Sequence, residues 1–279
     1  MYVAPDAPEA LTLLHKNNIA CFRTPESCAE SVKAFLNTKN PVKPKILKND
    51  LSNISKNLKK KISKNLSEEE ALEIFKDIGI QIVDYKVSFN EKQVIEHSSQ
   101  IGFPLAIKVL SNQILHKTET GGVELNIKNL EELKISFKKL SDVFQKLKIN
   151  SSDKKFIIQK MEKGIAEIIL GYRVDELVGP IVLLGSGGIL SEIYNDKSIR
   201  MAPVDITEAK KMIKEVKSLV AITGYRELPT TDINIIANAV VNMSKFAFVK
   251  EIKEAEINPV IVKKGNEGII AVDGIITLN

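Results

Sequence analysis

Residues 102–125 read GFPLAIKVLSNQILHKTETGGVEL. The apolar run 104–110 has the length and the Ile and Val content of a buried strand, with Lys108 in its middle. A short connection then carries the adjacent pair His116-Lys117, and Gly121-Gly122 form a hinge that opens a second strand over 122–127. Burying an ammonium is costly unless it is paired, so Lys108 reads as a phosphate ligand or as a residue at the strand surface. A neutral imidazole is a good nucleophile near neutral pH. His116 therefore reads as a covalent phosphoryl acceptor, with Lys117 and nearby amides offsetting charge, or as a structural histidine. His15 and His97 fall on predicted helices with no polar cluster around them, which suits surface or packing roles.

On both sides of this stretch the main body extends from residue 66 to the end. Ser67-Glu68-Glu69-Glu70 is a capping box, followed by Ala71, Leu72, Phe75 and Ile78 at helical spacing. Gly79 ends that helix, a strand is predicted over 80–87, and Asn90 caps a second helix with Gln93 three residues on. Downstream of the hinge, a long helix is predicted from an Asn129 cap, with Glu132 at its third position, to about Leu147. Strands over 155–161, 165–175 and 180–184 follow, then helices near 208–219 and 232–250, and a closing hairpin of 255–263 with 268–278. Strands and helices are mixed and neighbouring strands are often consecutive. That pattern predicts an α/β fold with α+β elements and antiparallel pairs, not a pure Rossmann alternation.

Residues 1–40 are different in kind. A helix over 8–17, a short strand over 19–22 and a helix begun by Thr24 and Pro25 cannot close a core. Val32, Phe35 and Leu36 give the second helix an apolar side. The unit reads as the last αβα piece of a larger parallel-sheet domain. Residues 41–65 carry eight lysines and little apolar periodicity, as a linker does, with some helix near Leu58.

Composition narrows the function classes. The chain has 279 residues, 44% hydrophobic and 27% charged, which is an ordinary globular balance with ample length for a core. The net charge of +5 owes much to the lysines at 43–64, which suit a solvated linker better than a nucleic-acid surface. With no Trp and 5% aromatic residues, a base-stacking platform is not expected. No apolar run approaches the roughly 18–20 residues of a membrane span, and the N-terminus lacks the charged start and apolar centre of a signal peptide. Cys21 and Cys28 match no zinc or CxxC spacing, and isolated thiols fit a reducing cytoplasm.

Further constellations carry chemistry. In the closing hairpin, Glu256 and Asn258 are two apart and share a face. A turn centred between Gly265 and Asn266 sets Asn258 opposite Asp273, where cross-strand Cβ atoms lie ~4.5–5.5 Å apart. Three oxygen-bearing side chains would then converge, as magnesium requires; the other reading is the polar side of an edge hairpin. Gly185-Ser186-Gly187-Gly188 follows an apolar strand and either lets backbone amides approach phosphates or makes a flexible turn. No Gly-Lys-Ser/Thr follows, so it is not a Walker A loop. Gln159-Lys160-Met161 ends a strand before Gly164 and could present backbone groups to an adenine edge or simply connect strands, with Glu167 in the next strand. Arg200 supplies another cation or lies in a surface loop.

Taken in order, these pieces resemble the ATP-grasp domain of ADP-forming acyl-CoA synthetases, the acetate–CoA ligase family. The resemblance covers about residues 64–279 and rests on the opening stretch, on AEIILGYRVDELVGPIVLLGSGGILSEIYNDKSIRMAP, and on EAEINPVIV followed by AVDG. The Glu-Ile-Asn-Pro and Val-Asp-Gly pieces also resemble the β subunit of succinate–CoA ligase. The resemblance implies an ATP-grasp fold over 66–279, preceded by the C-terminal remnant of a flavodoxin-like succinyl-CoA-ligase domain at 1–40 and the Lys-rich linker at 41–65. It implies interconversion of acid, CoA and ATP with acyl-CoA, ADP and phosphate, with Mg2+ and ATP/ADP bound here. The CoA-binding domain and a first phosphohistidine would lie on a partner chain.

Residue by residue, His116 matches the family's second histidine, and Lys108 matches the lysine that contacts nucleotide phosphates, with Lys117 beside the phosphate. Gln159, Lys160 and Met161 match the adenine hinge, with Glu167 beyond it. Gly187 and Gly188 match the loop near the phosphates, and Arg200 would supply a further cation. Asn258 and Asp273 match the magnesium ligands, with Glu256 beside them. The family commonly has Ser-Asp after His-Lys, whereas Thr118-Glu119 stand here, which lengthens the acid. Two other readings fit the same text: the ATP-grasp part of a protein acetyltransferase, and a non-catalytic nucleotide-binding remnant of a split gene.

Overall fold

The computed structural model describes residues 7–38, 51–111, 120–146, 154–188, 196–224, 226 and 228–279. The chain divides into two compact units, 1–43 and 44–279. In the first, α1 (Pro8–Lys16) and α2 (Pro25–Asn37) form where the caps predict, and the Thr24 side chain accepts from Ser27 N–H at 3.1 Å. The strand expected over 19–22 does not form, and only Phe22 has a bridge. A short strand needs neighbours to pair with, and this unit has no sheet among its described residues. The apolar side of α2 is uncovered: Phe35 is 78% and Leu36 74% exposed.

The second unit opens with α3 (Ser52–Leu58), inside the expected linker. Ile54 and Leu58 lie one turn apart and are both buried in the main core. Those two side chains make residues 52–58 part of the body. The chain then pairs with the sheet edge through a bridge between Asn65 and Thr277. In α4 (Glu68–Asp77) the Ser67–Glu70 capping box closes, and Ala71, Leu72 and Phe75 are buried.

The predicted strand over 80–87 divides in two. Ile82 bridges Ala271 in parallel, and only β1 (Tyr85–Ser88) joins the first sheet. After α5 (Glu91–Ile101) come β2 (Leu105–Leu110) and β3 (Val123–Ile127), then α6 (Leu130–Lys146) and β4 (Lys155–Lys160). These strands form an antiparallel sheet in the order β1-β4-β2-β3. One face packs on α5 and α6 through Ile107, Ile158, Leu133 and Phe144, with the Phe144 ring edge-on to Phe156 at 5.3 Å. All six residues of β2 are buried, as a strand covered on both faces should be.

The second sheet holds β5 (Ala166–Asp175), β6 (Gly179–Ser186), β7 (Lys197–Met201), β8 (Ile252–Val262), β9 (Ile269–Ala271) and β10 (Gly274–Leu278). Its order is β10-β8-β5-β6-β7, with β9 also on β8, and every ladder is antiparallel. Arg200, for which a surface loop is one of two readings, lies in β7. α7 (Ile206–Glu215) and α8 (Ile233–Ser244) bury Met212, Ile236 and Val240 in the core of this sheet. Each continues into a 3-10 turn, Lys217–Thr223 and Lys245–Phe248. Among the described residues no helix is long and apolar enough to cross a membrane.

Candidate functional site

Lys108 lies on the face of β2 turned away from α5 and α6, and it is 5% exposed. Its ammonium donates to Glu68 Oε1 at 2.7 Å, to the Val272 carbonyl at 3.1 Å and to Asp273 Oδ2 at 3.1 Å. Three N–H donors thus meet three oxygens, which is how a buried ammonium becomes tolerable. Burial alone would lower its pKa, but the Glu68 and Asp273 carboxylates outweigh that and hold it above the ordinary lysine value. Gln159 sits beside Lys108 on the neighbouring strand, in register with Ala106, and donates to the same Glu68 oxygen at 2.9 Å.

Glu68 is the participant that the sequence reading missed. It is 3% exposed at the first position of α4. A carboxylate there is explained by the helix dipole alone, so its charge drew no notice. Its spacing gave a signal: Glu68 falls on the stripe of Leu72 and Phe75, where an acid is out of place unless something pairs it.

The hairpin brings Asp273 to this point. β8 pairs with β9 and β10 in one continuous register from Val262↔Ile269 to Thr277↔Glu254. That register places Asn258 opposite Asp273, and Asn258 N–H donates to the Asp273 carbonyl at 3.3 Å. The Asn258 carboxamide donates to Glu256 Oε1 at 3.2 Å. Asp273 accepts Gly274 N–H on Oδ1 at 2.8 Å and shows Lys108 its other oxygen, with about a third of the side chain exposed. Among the described residues no group of three or more His, Cys, Asp and Glu converges. Two carboxylates and a carboxamide are nevertheless a hard-oxygen donor set, which fits magnesium with phosphate and water completing its shell.

Gly187 lies against Glu167, to whose carbonyl it donates at 2.8 Å. A Cβ at Gly187 would fall 2.7 Å from the Glu167 carbonyl carbon, so the two segments can approach only because the residue is glycine. Gly188 has φ +80°, with the Glu167 carboxylate 3.6 Å from where a Cβ would stand. The fold thus brings Glu167, Gly187 and Gly188 together. At the hinge, Lys160 N–H donates to the Asp84 carbonyl and Met161 N–H to that of Pro104, each at 3.1 Å. Both amides are engaged inside the fold, and the Lys160 side chain points to solvent.

Arg200 is paired with two carboxylates of α7. It reaches from β7 to α7, donating to Glu208 at 2.8 Å and Glu215 at 2.5 Å, with further bonds to the Ser198 hydroxyl and the Ile199 carbonyl. Its two carboxylate partners hold it as a brace between strand and helix. His116 and Lys117 lie outside the described residues.

Two antiparallel sheets meeting over a lysine, a paired acid and a hairpin of oxygen donors form the architecture of an ATP-grasp domain, and the ATP-grasp domain family matches residues 57–278. The chain belongs to that family, and within it to the type found in ADP-forming acyl-CoA ligases. It is 37% identical over 207 residues to the β subunit of acetate–CoA ligase (ADP-forming) I of Pyrococcus furiosus, covering 74% of this chain and 88% of that protein. The acetate–CoA ligase (ADP-forming) of Methanocaldococcus jannaschii is 30% identical over 282 residues, which takes in 93% of this chain and 39% of that protein. The chain therefore spans most of the β subunit but well under half of the longer ligase.

Among solved structures, it superposes on acetyl-coenzyme A synthetase 1 of Ca. Korarchaeum cryptofilum, in complex with coenzyme A, Ca-AMPCP and HgCl+. The TM-score is 0.73 at 30% identity, covering 82% of this chain and 100% of that one. Another structure of that enzyme holds coenzyme A and Mg-AMPPCP, with a phosphohistidine segment pointing towards the nucleotide-binding site (TM-score 0.65, 30% identity, 82% and 99% covered).

Proposed function

We propose that this chain is the nucleotide-binding part of an ADP-forming acid–CoA ligase. It binds Mg-ATP or Mg-ADP and passes a phosphoryl group between nucleotide and histidine, in concert with a CoA-binding partner chain that carries a first phosphohistidine. The observation that carries this reading is the Lys108–Asp273 pair, a buried ammonium and a part-exposed carboxylate 3.1 Å apart where the two sheets meet. Magnesium, when bound, neutralises phosphate charge. Asp273, Asn258 and Glu256 would hold it. Lys108 orients the phosphates, while Glu167 with the loop at Gly187 and Gly188 borders them. The segment Gln159-Lys160-Met161 lies along the base. Because Lys160 and Met161 N–H are engaged, this segment can offer the base only acceptor oxygens and side chains. Phosphoryl transfer needs little from a protein beyond such positioning and charge neutralisation.

His116, with Lys117 beside it, is the proposed acceptor on this chain. The test is transfer of labelled phosphate from ATP in the presence of the CoA-binding partner. Acid-labile label on the wild-type chain, abolished in His116→Ala with nucleotide binding retained, is the expected result. Undiminished acid-labile label in His116→Ala would remove His116 from the reaction. The two alternatives, the ATP-grasp part of a protein acetyltransferase and a non-catalytic nucleotide-binding remnant of a split gene, gain no specific support from the geometry.

A further inference from the structure

The oxygens that hold Lys108 differ in their access to water. The Glu68 side chain is 1% exposed, whereas that of Asp273 is 32% exposed. Glu68 approaches from the buried end, out of α4, and Gln159 fixes the same oxygen from the neighbouring strand. Asp273 approaches from the open end, on the hairpin that also carries Asn258 and Glu256. One ammonium is therefore shared between a buried partner and an accessible one.

We propose that Glu68 is a positioning residue for the nucleotide site, and that the Lys108–Asp273 contact is a placeholder which Glu68 makes exchangeable. The inference rests on the nucleotide-binding reading given above. With metal–nucleotide bound, Asp273 would offer the cation the oxygen that it now shows Lys108, and a phosphate oxygen would take that place at the ammonium. Throughout, Glu68 keeps the ammonium paired and aimed. Without the Glu68 charge, Asp273 would be the only carboxylate left to Lys108 among the contacts described, and it would be held back from the metal. A buried ammonium that loses one of two carboxylates must be compensated by the other, because an unpaired buried charge is costly.

The consequence has a sign that a purely structural role does not share. Removing a negative charge near an anion site should by itself strengthen binding of any nucleotide. Locking Asp273 should weaken only the binding that needs the metal. Calorimetry on the full 279-residue chain separates the two, using ATP with excess Mg2+ and ATP with chelator, in wild type and Glu68→Gln. Glutamine keeps the shape and one oxygen acceptor. The expected result is at least a tenfold loss of affinity for Mg-ATP, with affinity for metal-free ATP unchanged or increased.

Equal affinities of wild type and Glu68→Gln for Mg-ATP would overturn the inference and leave the nucleotide site standing. Equal losses for both forms of ATP would also overturn it, reducing Glu68 to a packing role. Wild-type chain that binds neither form overturns the inference together with the reading beneath it. Should Glu68→Gln fail to fold, Glu68→Asp retains the charge but withdraws it by one methylene. A smaller loss confined to Mg-ATP is then expected, and no metal-dependent difference would count against the proposal.

Discussion

Lys108 and Glu68 show how much one buried pair constrains. Breaking such a pair from one side leaves an uncompensated charge, typically at ~3–5 kcal/mol, whereas replacing both partners with apolar or neutral isosteres is often close to neutral. Lys108→Ala should therefore lower the unfolding free energy obtained from urea denaturation by an amount in that range. Lys108→Met combined with Glu68→Gln should recover most of the loss, and a double variant no more stable than Lys108→Ala would contradict the pairing. Gly274 makes a second demand at this scale. A Cβ there would lie 2.5 Å from Cε2 of Phe75, so the glycine lets α4 settle on the hairpin next to Asp273. Gly274→Ala should cost ~1–3 kcal/mol, as overpacking does, measured by the same denaturation. An unchanged midpoint would mean that α4 is not held against the hairpin there.

At the level of elements, β7 and α7 are joined by Arg200. Glu208 has its pKa lowered chiefly by its bond from Arg200, and Glu215 likewise, with help from Ser198. A carboxylate with a depressed folded pKa stabilises above its unfolded value, near 4.3, and the contribution is lost as pH falls through the folded value. Arg200→Met should accordingly destabilise the protein at pH 7 and flatten the loss of stability as pH is lowered through about 5 to 3. Parallel acid-unfolding curves for the two proteins would refute this. Both carboxylates are substantially exposed, so solvent screening keeps the effect small. In α2, by contrast, Phe35 packs on little, being 78% exposed. Phe35→Asp should shift stability by no more than about 0.5 kcal/mol, and a larger loss in thermal melts would show a covered face.

The elements also show what a sequence can and cannot disclose. Caps at Thr24, Ser67, Asn90 and Asn129 are local chemistry, and each helix begins where its cap stands. The hairpin register was legible because alternation and a turn at Gly265 fix it together. The strand at 80–87 was read as one because its apolar pattern is continuous, but the choice to pair first with β9 and then with β4 is tertiary. β7 escaped notice because Arg200 and Lys197 interrupt its apolar character, as edge strands commonly allow. Glu68 escaped because its charge had a sufficient local explanation. Its position on the buried stripe was the clue that pointed further.

For the whole molecule, two sheets of separate core meet where Lys108, Glu68 and Asp273 converge, and the comparisons place that arrangement in the ATP-grasp family. The chain matches a β subunit over most of that subunit's length, whereas the longer ligase it resembles has most of its length outside the match. On the proposed reading, nucleotide binding belongs to this chain and thioester chemistry to an assembly with a CoA-binding partner. The most direct test is titration of the purified 279-residue chain with Mg-ATP in a calorimeter. The account predicts saturable binding at one site per chain, weakened at least tenfold by Asp273→Asn. Absence of saturable binding to the correctly folded chain, for Mg-ATP and Mg-ADP alike, would contradict it.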